Sequence, residues 1–310
     1  MHLFQIGAGS GGMAVLDLLA RDPGVSRVTL VEPDIYAPHN VYRHLFPPSS
    51  VGRLKAELAR EWVCAIRPDI AFEARIEDIT DPARQAEFAR IAAECDLGVC
   101  AADNEAAKFA FDALMRGAGK PWTLGEVLSG GIGGWVHRFA PGAACYGCVA
   151  SYLKREVIEQ PNGPPPDYSN PTAAQPETTV PASKASIAVI AGMHALVTLE
   201  MQRQPNPLTP FPKKEGGTEP KTTDITLPEM VLSPSPLGGG VGEGFQTEPA
   251  LSLLFSLQVV PGVFDTAFRT HRLRIPRSPT CLVCGTTAPV PTGDQLDAAV
   301  DDALARLGAR

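Results

Sequence analysis

Ile6-Gly-Ala-Gly-Ser-Gly-Gly12 couples an apolar strand to a helix through a turn with almost no side chains. Gly7, Gly9 and Gly12 satisfy G-x-G-x-x-G, with Gly11 beside them. This spacing lets backbone N–H groups approach a polyphosphate at a helix N-terminus. Residues 3–6 read as a short strand, residues 13–20 have helical composition, and residues 27–31 read as a second buried strand, which completes a βαβ unit. Glu32 ends that strand about 20 positions after the glycines, where a carboxylate would hold a ribose hydroxyl. The turn alone does not separate NAD, FAD and ATP, and a plain strand-to-helix turn and a solvated strand end are the bland alternatives.

With 310 residues, 44% of them hydrophobic and 20% charged, the chain can bury a sizeable core as an ordinary globular protein. A net charge of −7 and a pI near 5.4 argue against an extended nucleic-acid surface but allow a local basic pocket. The opening Met-His-Leu-Phe-Gln-Ile goes straight into the glycine turn without a leader-like stretch, so a cytoplasmic location is expected. The apolar run 185–201 carries His194 and Glu200 and is too short for a membrane span, so a buried helix is expected there. Two C-x-x-C pairs among the 7 cysteines point to metal before disulfide in a reducing compartment.

The stretch from Glu32 to Phe46 decides between the ligands of the turn. It carries Asp34, Asn40 and Arg43 through a proline-punctuated loop that ends at Val51-Gly-Arg-Leu-Lys55, where a helix is expected over 53–66. A strand is expected around 70–76, a helix over 82–93, and a buried strand over 96–101 that ends in Ala102-Asp103-Asn104. An Asp at the carboxyl end of a parallel strand lies where doubly wound sheets bind ligands; capping of a helix over 105–115 is its bland alternative. Strand character resumes at 122–127, and Gly130 to Gly134 turn the chain back antiparallel, either as a plain hairpin or as a place where an extended peptide approaches the backbone.

In this order and spacing, the acidic-x-Asp strand end, the Asn-x-x-Arg loop and the Gly-x-x-Lys helix start resemble the MoeB/ThiF adenylyltransferases of the ubiquitin-activating superfamily. The resemblance implies an α/β fold: a Rossmann-like, mostly parallel sheet flanked by helices, with an antiparallel extension and a C-terminal zinc-bearing segment. It implies ATP-dependent adenylation of the C-terminal carboxylate of a ubiquitin-like or sulfur-carrier protein ending in Gly-Gly, with release of pyrophosphate. By the same resemblance Arg43 and Lys55 contact phosphate, Asp103 binds Mg²⁺, Glu32, Asp34 and Asn40 belong to the nucleotide site, and the chain forms a homodimer.

Cys145-Tyr-Gly-Cys148 and Cys281-Leu-Val-Cys284 each have the spacing that lets two thiolates reach one tetrahedral Zn²⁺, and together they would make a closed structural site. A redox-active pair is the alternative. Four regions are expected: an adenylation core over 1–150, a crossing loop and apolar helix over 151–204, a flexible low-complexity insertion over 205–247, and a C-terminal part over 248–310. The last would carry strands at 251–260 and 264–275 and a helix at 294–307. Two departures from the family are evident. No arginine precedes the first strand, and residues 159–184 contain no cysteine. The remaining Cys64, Cys95 and Cys100 are expected to be buried, so adenylation without a thioester on this chain is expected. An NAD(P)-dependent oxidoreductase and a catalytically weak partner subunit are the competing readings.

Overall fold

The computed structural model describes residues 1–153, 181–202 and 250–285. The chain runs β1 (His2–Ile6), α1 (Ser10–Ala20), β2 (Arg27–Val31), α2 (Lys55–Ile66), β3 (Ala71–Arg75), α3 (Gln85–Glu94), β4 (Leu97–Cys100), α4 (Glu105–Gly117) and β5 (Trp122–Val127). It continues with β6 (Gly133–Phe139), α5 (Tyr146–Tyr152), α6 (Lys184–Glu200), β7 (Ala250–Ser256) and β8 (Arg269–Ile275). Among the described residues the strands form a single sheet in the order β3-β2-β1-β4-β5-β6-β7-β8. The first five strands are parallel and the last three antiparallel.

The parallel half is covered on both faces, which is why β1 is buried at every residue and lacks polar–apolar alternation. On one face Leu3, Val28, Leu30 and Val99 pack with Leu16 and Leu19 of α1 and Val63 of α2. On the other, Phe4, Ile6 and Cys100 pack with Phe88 and Ile91 of α3 and Phe111 and Met115 of α4. α6 lies against α1, β5 and β6, and its Ala191 and Ala195 enter the first of these clusters. The sequence progression reverses between β1 and β4, which pair directly through Ile6 and Cys100. The glycine turn and the segment 101–104 therefore leave adjacent strands at the carboxyl edge of the sheet, where such folds bind ligands.

Several expected boundaries move. The helix expected from residue 53 begins at Lys55, because Tyr36 and Arg53 pair their backbones (N···O 2.8 Å) and hold the preceding residues extended. Residues 82–84 form a separate 3₁₀ turn capped by Asp81, whose carboxylate accepts from the Ala83 N–H. The strands expected at 251–260 and 264–275 are shorter, because Val260 and Phe264 close a turn between them. Cys95 and Cys100 are buried as expected, whereas Cys64 is exposed, since it falls on the outer face of α2. No helix among the described residues is long and apolar enough to cross a membrane. The insertion 205–247, the helix expected at 294–307 and most of the crossing loop lie outside the described residues.

Candidate nucleotide site and cysteine cluster

The glycine turn separates its glycines into two kinds. Gly7 has φ +87°, and a Cβ there would lie 2.7 Å from the Ala101 carbonyl oxygen; a Cβ at Gly12 would lie 2.3 Å from the Gly7 oxygen. These two are required by packing, because the turn is pressed against the β4 exit. A Cβ at Gly9 or Gly11 would meet nothing within 4 Å. Their small size serves nothing in the protein itself and leaves the helix start open to a ligand. Gln5, a buried residue of β1 that the motif does not include, stitches the turn: its Nε2 donates to the carbonyls of Gly7 (3.0 Å) and Gly12 (2.9 Å).

Glu32 is buried, and its carboxylate accepts from the backbone N–H of Ala8 (2.5 Å) and of Asp34 (3.0 Å). It thus clamps the glycine turn onto the end of β2 while keeping lone pairs for a further donor. Burial raises its pKa, opposed by the Lys55 charge and the two backbone N–H donors. Lys55 is buried at the start of α2, with Nζ 2.7 Å from Asp34 Oδ2 and 4.0 Å from Glu32 Oε1. The Asp34 side chain is 64% exposed, so this pair opens to solvent on one side.

Asn40 is buried and shapes the loop. Its Oδ1 accepts from the Ala37 N–H (2.9 Å), and its carbonyl accepts from the N–H groups of Arg43 (3.1 Å) and His44 (3.0 Å). Arg43 is half-buried. The sequence reading missed the buried His44, whose Nε2–H donates to the Ala8 carbonyl (2.9 Å) and ties this loop to the glycine turn. Burial first, and then the charges of Lys55, Arg43 and Lys184, hold its pKa down to about 4, so the ring is neutral at pH 7. The only sequence signal was its place directly after Arg43.

Asp103 follows β4 and is exposed, without a hydrogen bond or ion pair among the described residues. Capping does not occupy it: Asn104 is the N-cap of α4, accepting from the Ala107 N–H at 2.7 Å. A carboxylate left open at the carboxyl edge of the sheet could hold a cation such as Mg²⁺, which takes few protein ligands and keeps its waters. Behind it Lys108 is buried between Glu105 Oε1 (2.7 Å) and Glu126 Oε1 (2.6 Å), and its pKa is raised by these carboxylates against the penalty of burial. Tyr146 donates its hydroxyl to Glu105 Oε2 (2.7 Å) and its N–H to Asp112 Oδ1 (3.0 Å). Sequence gave no cue to this network, because its members come from α4, β5 and α5.

Tyr146 also belongs to the first cysteine pair. Cys145, Cys148, Cys281 and Cys284 are all buried, and their sulfurs lie within 4.8 Å of one another. The Sγ separations of 3.8 Å (145–148), 3.7 Å (145–281) and 3.5 Å (148–284) match the spacing of about 3.8 Å that a tetrahedral zinc imposes with bonds of about 2.3 Å. The backbone N–H groups of Ser278 and Val283 point at Cys148 Sγ and Cys281 Sγ, each at 3.4 Å, as donors to thiolates do. Burial pushes the Cys145 and Cys148 thiols up, so a divalent cation is what would let these sulfurs ionise together. The cluster could hold a zinc ion, and it joins α5 to the segment after β8, far apart in sequence.

A family model, described as the ThiF family, matches residues 1–226. The chain belongs to the ThiF family. Among curated ThiF-like relatives, ubiquitin-like modifier-activating enzyme 5 of Caenorhabditis elegans is 25% identical over 163 residues, which is 50% of this chain and 39% of that protein. The same enzyme of Oryza sativa subsp. japonica is 25% identical over 167 residues, again 50% and 39%. The match thus spans about two fifths of these relatives' length. Among solved structures, E. coli MccB with ATP is similar with a TM-score of 0.54 and 16% identity, over 92% of this chain and 66% of that one. E. coli MccB with MccA-N7isoASN gives a TM-score of 0.55 and 15% identity, over 92% and 67%. At these identities the likeness shows the fold.

Proposed function

We propose that this chain uses ATP to adenylate the C-terminal carboxylate of a ubiquitin-like or sulfur-carrier protein ending in Gly-Gly, releasing pyrophosphate. The observation that carries this reading is the convergence, at the exits of β1, β2 and β4, of an open glycine turn, the Asp34–Lys55 pair, the Arg43 loop and the unengaged Asp103. The substrate carboxylate oxygen forms the new bond to the α-phosphorus while the bond from that phosphorus to pyrophosphate breaks. Both reactants are anions, so the site must hold them together and spread charge onto the leaving group.

In this reading Gly9 and Gly11 admit the phosphates, Arg43 contacts them with its planar fork, and Lys55 supplies a point charge. Asp34, the more open carboxylate, and Glu32 take ribose hydroxyls, while Asn40 holds the Arg43 loop in shape. Asp103 would hold Mg²⁺, which when bound neutralises phosphate charge. Residues 1–150 serve as the adenylation core, and the cysteine cluster as a structural zinc site. A homodimer in the cytoplasm is part of the same reading. The acyl-adenylate is passed on without a thioester here: the exposed Cys64 lies nine residues beyond Lys55, about 13 Å along α2 at 1.5 Å per residue.

ATP–pyrophosphate exchange with a panel of Gly-Gly-ended carriers tests the proposal. Exchange should depend on the carrier and fall by at least a hundredfold in Arg43→Ala and in Asp103→Ala, as expected when transition-state charge loses a partner. Tight NADH binding without ATP binding would overturn the reading. ATP binding without exchange for any carrier would favour a partner subunit.

A further inference from the structure

We propose that Lys184, the first residue of α6, is a further triphosphate-binding cation of this site; the inference rests on the adenylation reading and adds a residue to it. Lys184 Nζ donates to the His44 carbonyl at 3.0 Å, across 140 positions of sequence. The same His44 donates through Nε2 to Ala8 inside the glycine turn, so one residue separates the Lys184 ammonium from the phosphate cradle. The carbonyl it holds lies next to Arg43 in the chain. Lys184 thus reaches the same corner as Arg43 and Lys55, although it comes from a helix 140 positions further along the chain than His44.

Its position is built. Ser183 caps α6, accepting from the Ser186 N–H at 3.1 Å, and there is no acidic residue in the first turn. Ser186 sits over Gly131, where a Cβ would lie 2.7 Å from its Oγ; this close approach sets the start of α6 near the carboxyl end of β5. Lys184 is exposed, and no carboxylate pairs with it among the described residues. One of its three donors is engaged, by a neutral carbonyl, whereas Lys55 already faces Asp34 and Glu32. Burial first, and then the charges of Lys55, Arg43 and Lys184, hold the His44 imidazole neutral, in keeping with the Lys184–His44 contact. Arg43, Lys55 and Lys184 together match the carboxylates of Glu32, Asp34 and Asp103 at this corner, so Lys184 supplies positive charge there that Lys55, already facing two carboxylates, does not. The flexible four-carbon stem lets the ammonium leave the carbonyl for a phosphate oxygen without movement of the helix.

Calorimetric titration of the full chain with ATP and with AMP reads this contact without relying on turnover. Lys184→Ala should weaken ATP about tenfold and AMP by less than twofold, and Lys184→Arg should restore most of the ATP affinity. Inorganic pyrophosphate, titrated alone, should bind more weakly in Lys184→Ala by about the factor lost for ATP. Equal losses for ATP and AMP, or none for either, would overturn the inference. If Arg43→Ala weakens ATP while Lys184→Ala is silent, the inference fails and the adenylation reading stands. A wild-type chain that binds no ATP overturns both.

Discussion

The glycine-turn corner, at the carboxyl edge of the parallel sheet, and the cysteine cluster, packed with the core on one face of that sheet, are built on opposite rules. The glycine-turn corner is made of turn backbone, the half-open Asp34–Lys55 pair, and the open positions of Gly9 and Gly11 beside the tightly packed Gly7 and Gly12. The cluster is closed: four sulfurs face one another, and backbone donors already point at two of them. Tyr146 connects them, since it sits between two of the cysteines and hydrogen-bonds Glu105, two residues after Asp103. The difference teaches which residues serve stability and which serve a ligand, even inside one motif.

Removing the metal should have the largest effect. Chelation of zinc, or Cys281→Ser, is expected to lower stability by several kcal/mol, because metal binding energy at such sites is folding energy. Thermal unfolding with and without chelator checks this, together with metal analysis of the purified chain. A chain that is metal-free yet equally stable would break the contrast between the two regions.

Acid should come next, acting on His44 beside the glycine turn and on His194, buried in α6 against β5. His44 and His194 are buried with pKa values lowered to about 4 and about 3, from 6.5. The unfolded chain then binds more protons than the native one below pH 6.5, so stability is fully present above that pH and is lost as pH falls toward 4. Each such histidine contributes on the order of 3 kcal/mol over the window. Buried Glu32 and Asp112, whose pKa values are raised, work in the opposite direction and offset part of the loss. Denaturant unfolding between pH 7 and 4.5 should show the decline. His44→Gln, which can still donate to Ala8, should flatten it; an unchanged slope would remove His44 from the account.

Within the glycine turn the expected effects are smaller and sharper. Gly12→Ala should cost about 2–3 kcal/mol of stability, because its Cβ meets backbone that cannot yield. Gly9→Ala and Gly11→Ala should leave stability within about 0.5 kcal/mol but weaken ATP several-fold. Equal stability losses at the three positions would erase the distinction. Smallest of all, Cys64→Ala should leave pyrophosphate exchange unchanged, and mass spectrometry after reaction should find no thiol-labile carrier adduct; a thiol-labile adduct that Cys64→Ala abolishes would restore a covalent route.

Much of this was legible in the sequence because it depends on local rules. The G-x-G-x-x-G turn, the strand ending at Glu32, the loop through Asn40 and Arg43, and both cysteine pairs are short-range patterns whose chemistry is carried by spacing. The parallel half of the sheet followed from the alternation of strands with helices. Where boundaries moved, backbone pairing overrode composition: a non-local one between Tyr36 and Arg53 before α2, and the tight Val260–Phe264 turn between β7 and β8.

Tertiary structure alone decided the rest. Gln5 is an unremarkable strand residue until two turn carbonyls close on its amide, and His44 is a polar loop residue until Ala8 comes within 2.9 Å. Asp103 and Asn104 were interchangeable as caps until the backbone gave the cap to Asn104 and left Asp103 to solvent. Lys184 lay outside every motif, and only the packing of α6 across the sheet brings it to His44. Sequence spacing determines what one segment can do, because a turn or a C-x-x-C pair is complete within a few residues. Which cation, carboxylate or ring meets that segment from elsewhere is settled when the core packs, since long-range neighbours are chosen by the burial of other residues.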